Sequence, residues 1–417
     1  MKFFIETIGC QMNVNDSDKI TDYLLKAGLE KTDDILQSDL VLLNTCSVRF
    51  SAEHKAYSFL GRLAEHKKNK PALISGVIGC MAQHAGKQIK SRFGFVNFIL
   101  GAKELDKFPD IVSKFIDTDG ISKYAGKSGV FEYVTIMRGC GNFCSYCIVP
   151  YVRGPENSVS IEEIMQETEQ AVNRGAREII LLGQNVNSYN YKNIDFTGLL
   201  KEVSAIKNLE RIRFMTNHPK DFSDGLIDEI ASNEKICKYI HLPLQSASDE
   251  ILKKMNRKYT YENYKLLLSK IRAKIPSINI TSDIIIGFPG ETEEDFDQTL
   301  KAADDLEFGG LFIFKYSPRP NTLAYKMKDD IDVETKKRRL AVLLERSNQI
   351  SKRLNEKYTG TIQKVLVDGY ANGVCESRNS QNIKIFFDYQ KDIKGQFANV
   401  KITKALANSM SGEICEC

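Results

Sequence analysis

The chain has 417 residues, of which 42% are hydrophobic and 27% are charged. This composition excludes a disordered, collagen-like or coiled-coil protein, and the length is enough for about two to four domains. Lysine and arginine exceed aspartate and glutamate by 58 − 54 = 4, which permits a nucleic-acid partner without requiring one. The sequence has neither a membrane-length apolar run nor a signal-peptide pattern at its start. We therefore expect a cytoplasmic protein with no membrane partner.

Three cysteines in the N-terminal part each follow a short apolar run that is typical of a buried strand. Cys10, Cys46 and Cys80 are 36 and 34 residues apart, about one strand and one helix, and each precedes a plausible helix start. Because parallel strands end at a shared edge, an N-terminal α/β sheet would bring these thiols together. They would form either an iron–sulfur site or three buried apolar side chains.

A second set of cysteines is Cys140, Cys144 and Cys147, in the segment RGCGNFCSYCIVP. Structural zinc sites usually have four ligands, but no further Cys or His follows within the next sixty residues. Three thiolates on a 4Fe-4S cluster leave one iron open to a substrate. The C-x3-C-x2-C spacing therefore predicts a catalytic iron–sulfur site rather than structural cysteines.

After an AGKSGVFEYV linker, six strand-like runs alternate with helical segments, which predicts a partial TIM barrel, (β/α)6, open on one side. Thr292 is the predicted N-cap of the last of these helices. A long basic helix follows, which is either a solvated face or the border of a phosphate backbone. The tail predicts a small antiparallel, OB-like β-barrel. The predicted domains are residues 1–120, 126–355 and 357–417.

Several polar residues at predicted strand ends are weaker candidates for a binding site. Gly183, Gln184 and Asn185 end the second barrel strand and either touch a cofactor or substrate or form a turn. Gln245, after the fourth strand, and Asp283, within the fifth, either face the site or make internal bonds. We expect Arg153 and Arg213 either to contact a carboxylate or phosphate or to form ion pairs on the surface. No catalytic residue is assigned. We expect structural roles for two histidines and four further cysteines: His218, His241, Cys237, Cys375, Cys415 and Cys417.

Taken together, the motifs resemble the radical-SAM methylthiotransferases over nearly the whole chain, where SAM is S-adenosylmethionine. The segments GCQMN, GCGNFCSYCIVPYVRG, LLGQNVNSY, HLPLQS and IIGFPGET are most similar to the MiaB-type tRNA enzymes. The resemblance implies two 4Fe-4S clusters, one binding SAM and one auxiliary and sulfur-carrying, with Tyr146 beside the adenine of SAM. It also implies a C-terminal TRAM domain that binds RNA. The tail is weakly patterned, and Ala247 stands where relatives often have glycine.

The implied reaction adds a methylthio group to carbon 2 of N6-isopentenyladenosine at tRNA position 37. No side-chain base usefully deprotonates that carbon, so a cofactor must supply the difficult step. In the family, one SAM methylates a cluster-bound sulfide and another yields the deoxyadenosyl radical, which requires both clusters to face one cavity. The implied partners are the tRNA anticodon loop and an electron donor such as flavodoxin or ferredoxin, and the enzyme is expected to be a monomer.

Two other branches of the family remain as alternatives. One modifies N6-threonylcarbamoyladenosine at the same tRNA position, although its LLGQNVN and CQMN segments usually differ. The other modifies an aspartate β-carbon in a ribosomal protein. A pure RNA-binding or iron–sulfur assembly protein would have no use for an open iron site.

Overall fold

The structure is a computed structural model that describes residues 1–47, 50–116 and 129–415. The chain divides into two compact units. The first comprises Met1–Lys127, Arg138–Phe143 and Cys147–Asn157, and the second comprises Ser128–Met137, Cys144–Tyr146 and Ser158–Cys417. Part of the linker that was predicted around residue 125 lies outside the described residues. Cys417 also lies outside them. No helix in the described ranges is long and apolar enough to cross a membrane.

The first unit contains a five-stranded parallel sheet in the order β2-β1-β3-β4-β5, as the sequence predicts. Its strands are β1 Lys2–Ile8, β2 Glu30–Lys31, β3 Leu40–Thr45, β4 Ile74–Gly79 and β5 Phe98–Gly101. Its helices are α1 Gln11–Lys26, α2 Phe50–Asn69, α3 Cys80–Arg92, α4 Phe108–Val112 and α5 Val149–Arg153.

The central strand β3 is apolar on both faces, which is typical of a parallel sheet covered on both sides. Successive side chains of a strand point to opposite faces. Val41 and Leu43 accordingly belong to one core cluster with residues of α2 and α3, while Leu40 and Leu42 belong to another with residues of α1 and α4. This burial fixes the register of β3 against its neighbours and hence the positions of the strand ends.

The second unit begins with six parallel strands that follow one another in chain order, and this arrangement confirms the predicted partial TIM barrel. The six strands form two three-stranded sheets, and an isolated parallel bridge joins Ile212 of the third strand to Ile236, which precedes the fourth strand. Within the described residues, the first and last of these strands do not pair, so the barrel is open. The strands are β6 Phe131–Thr135, β9 Glu178–Leu182, β12 Arg211–Phe214, β13 Tyr239–His241, β14 Asn279–Ile286 and β15 Gly310–Lys315, and the short strands between them are β7 Met137–Arg138, β8 Asn157–Ser158, β10 Asn190–Tyr191 and β11 Ile194–Asp195.

The helices of this unit pack their apolar faces on the barrel strands to form its large core. They are α6 Ile161–Asn173, α7 Phe196–Ser204, α8 Asp224–Ser232, α9 Asp249–Lys254, α10 Tyr261–Lys274, α11 Glu293–Leu306 and α12 Val333–Glu356. The predicted N-cap at Thr292 is confirmed, because its hydroxyl accepts a hydrogen bond from the amide of Asp295.

The tail forms a closed barrel in the order β16-β17-β18-β20-β19. Its strands are β16 Ile362–Ala371, β17 Val374–Arg378, β18 Lys384–Asp388, β19 Phe397–Ala405 and β20 Ser409–Ile414. The sequence indicated only three of these strands, since β17 and β20 are short and interrupted by Ser or Gly. Four strand pairs are antiparallel as predicted, but β18 and β20 run parallel, because they meet through closure of the barrel rather than through a hairpin.

The long basic helix α12 is held against the barrel unit by ion pairs. Arg339 is buried and its Nη1 atom lies 2.6 Å from Oε2 of Glu291. Further pairs of this helix are Arg338–Glu293, Arg346–Asp304 and Arg353–Glu307. These contacts favour the first of the two sequence interpretations, since much of the positive charge is matched within the chain.

Candidate functional site

The register of the first sheet places three cysteines at one edge. Ile8 pairs with Thr45, and Thr45 pairs with Gly79, so β1, β3 and β4 end side by side. Cys46 and Cys80 are the next residues of their chains, and Cys10 is two residues beyond Ile8. Cys10 is the N-cap of α1 and Cys80 begins α3. Helix N-termini carry a partial positive charge that favours thiolates.

A buried polar network fixes the backbone around these strand ends. Nδ2 of Asn13 donates to Oδ1 of Asn44 over 2.9 Å, and Nδ2 of Asn44 donates back to the carbonyl of Asn13 over 2.8 Å. The Sγ atom of Cys10 lies 3.3 Å from Oδ1 of Asn13. Gly79 has a φ of 95°, and a Cβ there would come within 2.5 Å of Oδ1 of Asn44. The network therefore positions the Cys10 thiol and requires glycine before Cys80.

The three thiols share one electrostatic environment. The Cys46 side chain, assisted by Arg153 and nearby amides, lowers the pKa of the Cys10 thiol to about 6 against the effect of burial. Burial raises the pKa of the Cys80 thiol, although Arg153 opposes the shift. For Arg153, burial disfavours the charge, but Cys80, Asp16 and Cys10 together raise its pKa above the ordinary value. A permanent cation therefore lies beside this cysteine edge.

Asp16 connects two arginines to this edge. Its Oδ1 atom accepts from Nη2 of Arg138 over 2.7 Å, and its Oδ2 atom lies 3.5 Å from Nη2 of Arg153. Of the two sequence interpretations of Arg153, contact with a carboxylate agrees with the structure and surface pairing does not, because its side chain is only 4% exposed. Asp16 and Arg138 were not singled out from the sequence. The signal available was a polar residue on the buried face of an amphipathic helix.

The residues at this edge fit a thiolate-bound cluster. Within the described ranges, no three His, Cys, Asp or Glu side chains are arranged to hold a metal ion as they stand. The thiols nevertheless converge on one sheet edge, and the Nη1 atoms of Arg138 and Arg153 are buried without a hydrogen-bond partner. Buried donors of this kind match the sulfur atoms of an anionic cluster, whose ligands are usually hydrogen-bonded.

Cys140 and Cys147 belong to the first unit and flank the turn that precedes α5. The amide of Cys140 donates to the carbonyl of Gly154 over 3.3 Å, and Nδ2 of Asn142 lies 3.5 Å from its sulfur. A Cβ on Gly139 would lie 1.9 Å from the carbonyl oxygen of Pro155, so this close approach requires glycine.

Cys144 belongs to the second unit, where a nearly inaccessible arginine holds it. Nη1 of Arg257 donates to Sγ of Cys144 over 3.3 Å, and its other nitrogens donate to Oη of Tyr259 and the carbonyl of Pro243. Burial opposes the charge of Arg257, but Tyr259, Tyr146 and Cys144 hold its pKa well above the ordinary value. Arg257 was not found from the sequence, since it is distant in the chain from the cysteine motif.

Tyr146 follows Cys144 in a loop that is anchored from both sides. The amide of Ser145 donates to the carbonyl of Met255 over 3.0 Å, and the carbonyl of Ser145 accepts from the amide of Ala324 over 2.7 Å. The ring of Tyr146 packs on an apolar cluster that includes Phe288. Tyr146 is thus a partly buried aromatic, as expected for a ring against which an adenine could pack.

Four of the buried amide oxygens that make no hydrogen bond in the described part of the second unit lie near the barrel strands: those of Gln184, Asn185, Asn217 and Gln245. Each side chain follows the carboxyl end of a barrel strand, which is the face where such barrels bind substrates. Gln245 also has a φ of 73°, a strained value for a residue with a side chain. Asn217 was not singled out from the sequence, although its neighbour His218 was.

The remaining candidates have internal contacts. A Cβ on Gly183 would meet the side chain of Met137 at 2.4 Å, so tight packing explains this glycine. Asp283 lies 3.4 Å from Nε2 of His241. Arg213 is a buried partner of Glu178, at 2.9 Å, and not a surface residue.

The residues expected to be structural have matching environments. Burial, with Arg257 and Lys220, lowers the pKa of His218 to about 2, so this ring stays neutral. Cys237 and Cys375 are buried, Cys375 in the core of the C-terminal barrel, and Cys415 is partly exposed.

Comparison with known proteins identifies the class first. Residues 134–303 match the model of the radical SAM superfamily, and residues 2–101 match a second model described as uncharacterized protein family UPF0004. Two solved radical SAM structures share the fold. TsrM from Kitasatospora setae aligns with a TM-score of 0.57 at 15% identity over 90% of this chain and 80% of that one. OxsB aligns with a TM-score of 0.53 at 14% identity over 82% and 56%. The chain is therefore a radical SAM protein, which implies a 4Fe-4S cluster and SAM.

Full-length relatives define the family more narrowly. A protein of Endomicrobium trichonymphae named tRNA-2-methylthio-N(6)-dimethylallyladenosine synthase is 50% identical over 99% of this chain and 100% of its own length. Proteins of the same name from Clostridium botulinum (strain Langeland) and Geotalea uraniireducens are 44% and 43% identical over 99% of this chain and 96% and 98% of theirs. This chain belongs to the family of tRNA-2-methylthio-N(6)-dimethylallyladenosine synthases.

Proposed function

We propose that this protein adds a methylthio group to carbon 2 of N6-isopentenyladenosine at tRNA position 37. The full-length relatives carry the name of this reaction. The structural observation that supports it best is the convergence of Cys10, Cys46 and Cys80 at one sheet edge. A single three-cysteine motif is enough to cleave SAM, so a second set of cysteines calls for a second task. Thiolation supplies that task.

We assign one 4Fe-4S cluster with bound SAM to Cys140, Cys144 and Cys147, and an auxiliary, sulfur-carrying cluster to Cys10, Cys46 and Cys80. When bound, these groups supply the deoxyadenosyl radical and the methylated sulfur that an unreactive C–H bond requires. The protein contributes thiolate ligands and buried cations. Arg257 beside Cys144 and Arg153 beside Cys80 offset the negative charge of the thiolates.

The polar residues of the barrel face are assigned to SAM. An unpaired buried amide oxygen costs about 1–3 kcal/mol, which a ligand with matching donors recovers. The ammonium and ribose hydroxyls of SAM are such donors, and Gln184, Asn185 and Gln245 each present a free oxygen. Gly183 follows the end of β9, Asp283 lies within β14, and we assign the ring of Tyr146 to the adenine.

We assign RNA binding to the C-terminal barrel, which we interpret as a TRAM domain. Exposed lysines on or beside its strands could neutralise phosphates: Lys391, Lys394, Lys401 and Lys404. The target adenosine must leave its stack to reach a radical, as in other enzymes that act on a base. The anticodon loop suits this requirement, because its bases are single-stranded.

We also propose an electron donor, an oligomeric state, a cellular location and domain boundaries for the enzyme. SAM cleavage consumes an electron, so the enzyme requires a donor such as flavodoxin or ferredoxin. We propose that it works as a monomer in the cytoplasm, where its substrate is made. The three proposed domains are residues 1–120, 126–355 and 357–417, with roles in sulfur transfer, SAM chemistry and RNA binding.

Mass spectrometry of tRNA nucleosides from cells with and without the gene tests the function directly. We expect deletion to replace the methylthiolated isopentenyladenosine by isopentenyladenosine, and the wild-type gene to reverse this. If instead only the threonylcarbamoyl nucleoside lost its methylthio group, the substrate would be the alternative adenosine. If no tRNA nucleoside changed and a ribosomal protein lost a methylthio-aspartate, the protein-modifying branch would apply.

A further inference from the structure

The first unit contains a cation that a purely structural role does not explain. The Arg153 side chain is 4% exposed and its partner Asp16 is 1% exposed. The Nη1 atom of Arg153 is buried and, among the described residues, makes no hydrogen bond. A buried N–H of a charged group that has lost its water without gaining an acceptor is costly, so such a group is expected to have a ligand.

The carboxylate of Asp16 does not by itself balance the two arginines that it contacts. Asp16 supplies one negative charge to two arginines, Arg138 and Arg153, and the Nη1 atom of Arg138 is also buried without a partner. The groups that face Arg153 from the packed elements are Asp16 of α1 and the thiols of Cys10 and Cys80. The two arginines and Asp16 together carry a charge of 2 − 1 = +1, which a thiolate or an anionic cluster at the cysteine edge would offset, and the Nη1 atom of Arg153 is, among the described residues, a donor without an acceptor.

We propose that Arg153, oriented by Asp16, is a positioning residue that donates a hydrogen bond to the sulfur of the auxiliary cluster and sets its reduction potential. Arg138 donates to the other carboxylate oxygen of Asp16 and so helps to fix the group that orients Arg153. This inference rests on the proposed function, because it presupposes a cluster on Cys10, Cys46 and Cys80. It goes further in that it assigns control of that cluster to three residues that are not ligands.

The sign of the effect follows from charge. Reduction adds one negative charge to the cluster, so a nearby cation stabilises the reduced form and raises the potential. Removing the charge of Arg153 therefore makes the potential more negative. Removing the charge of Asp16 leaves the arginine charge less compensated and makes the potential more positive. A role limited to packing would not give shifts of opposite sign.

The test uses the full-length chain in which Cys140, Cys144 and Cys147 are all replaced by alanine, so that only the auxiliary cluster remains. Redox titration followed by electron paramagnetic resonance measures its potential. In this background we compare Arg153→Met, Arg153→Lys and Asp16→Asn. Arg62→Met removes the same charge from an exposed position of α2 and serves as the matched control.

We expect a negative shift for Arg153→Met, a much smaller one for Arg153→Lys, a positive shift for Asp16→Asn and none for Arg62→Met. An unchanged potential in Arg153→Met, or shifts of the same sign for Arg153→Met and Asp16→Asn, would overturn the inference. If Arg153→Met binds no iron, Asp16→Asn decides. A positive shift of the potential in that variant supports the inference, and the absence of a shift contradicts it. If the parent triple variant itself binds no iron, the proposed second cluster fails, a result distinct from all of these.

Discussion

The two regions that carry the cysteines are built in different ways. In the first unit, Cys10, Cys46 and Cys80 come from three neighbouring strand ends, and a buried network of asparagines holds them. In the second, Cys144 lies in a short anchored loop beside Arg257. Pairing of the sheet strands brings the first set of cysteines together, whereas the second set is close together because its members are close in the sequence.

The cations beside the two regions also differ. Arg153 faces a carboxylate, Asp16, which offsets part of its charge. The donors of Arg257 go to the Tyr259 hydroxyl, the Pro243 carbonyl and the sulfur of Cys144, so no carboxylate is among these three acceptors. The two proposed cluster sites therefore differ in how the charge of the neighbouring arginine is offset.

The largest expected effect separates the two regions by activity. Cys46→Ala should lower tRNA thiolation by at least about a hundredfold while SAM is still cleaved to deoxyadenosine, since the ligands of the other cluster remain. Cys144→Ala should abolish both. Chromatography of deoxyadenosine and mass spectrometry of nucleosides measure the two outcomes on the same samples. Thiolation that survives in Cys46→Ala would remove the role assigned to the first unit.

The arginine of the second unit gives the next effect. Arg257→Met should slow deoxyadenosine formation by about tenfold to a hundredfold, because the Cys144 sulfur loses its donor and its neighbouring charge. Arg257→Lys should recover part of the rate, and the exposed Arg346→Met is the control. Iron content must be measured alongside. A normal rate in Arg257→Met with full iron content would show that this contact has no effect on the cluster.

Much of this comparison could be predicted from the sequence, and its limits have physical reasons. The repeated order of apolar run, cysteine and helix start indicated the edge shared by Cys10, Cys46 and Cys80, because parallel strands have a fixed polarity. The contact between Asp16 and Arg138 spans 122 positions of the chain, so no local pattern could reveal it. The parallel pairing of β18 and β20 likewise depends on barrel closure.

A substitution at the carboxyl face of the barrel should have a smaller effect, on the KM for SAM. Gln245→Met keeps the length of the side chain but removes the free amide oxygen, and should raise the KM for SAM about tenfold, equivalent to ~1.4 kcal/mol. The exposed Gln349→Met on α12 should leave KM unchanged. Iron content and tRNA binding should match the wild type. An unaltered KM in Gln245→Met would exclude this residue from the SAM site.

The last expected effect concerns the pH dependence of stability and has opposite sign in the two units. In the second unit, burial raises the pKa of Glu291 to about 7, although Gly287 and Arg339 act in the other direction. A raised carboxyl pKa adds stability below the unfolded value of 4.5 that is lost as pH rises through 7. In the first unit, Lys70 lowers the pKa of Asp39, which adds stability that is lost as pH falls.

Thermal unfolding of the wild type and of Glu291→Gln at several pH values measures the contribution of Glu291 to the free energy of unfolding. The free energy of unfolding of the wild type, relative to the variant, should be about 2 kcal/mol higher at pH 5 than at pH 7.5. A difference that is independent of pH would show that Glu291 has the same pKa in the folded and unfolded states.

Iron and sulfide content with Mössbauer spectroscopy tests the central claim most directly, namely that Cys10, Cys46 and Cys80 hold a second 4Fe-4S cluster. We predict about eight irons per reconstituted wild-type chain and about four in the variant that lacks Cys140, Cys144 and Cys147. About four irons in the wild type and none in that variant would contradict the account.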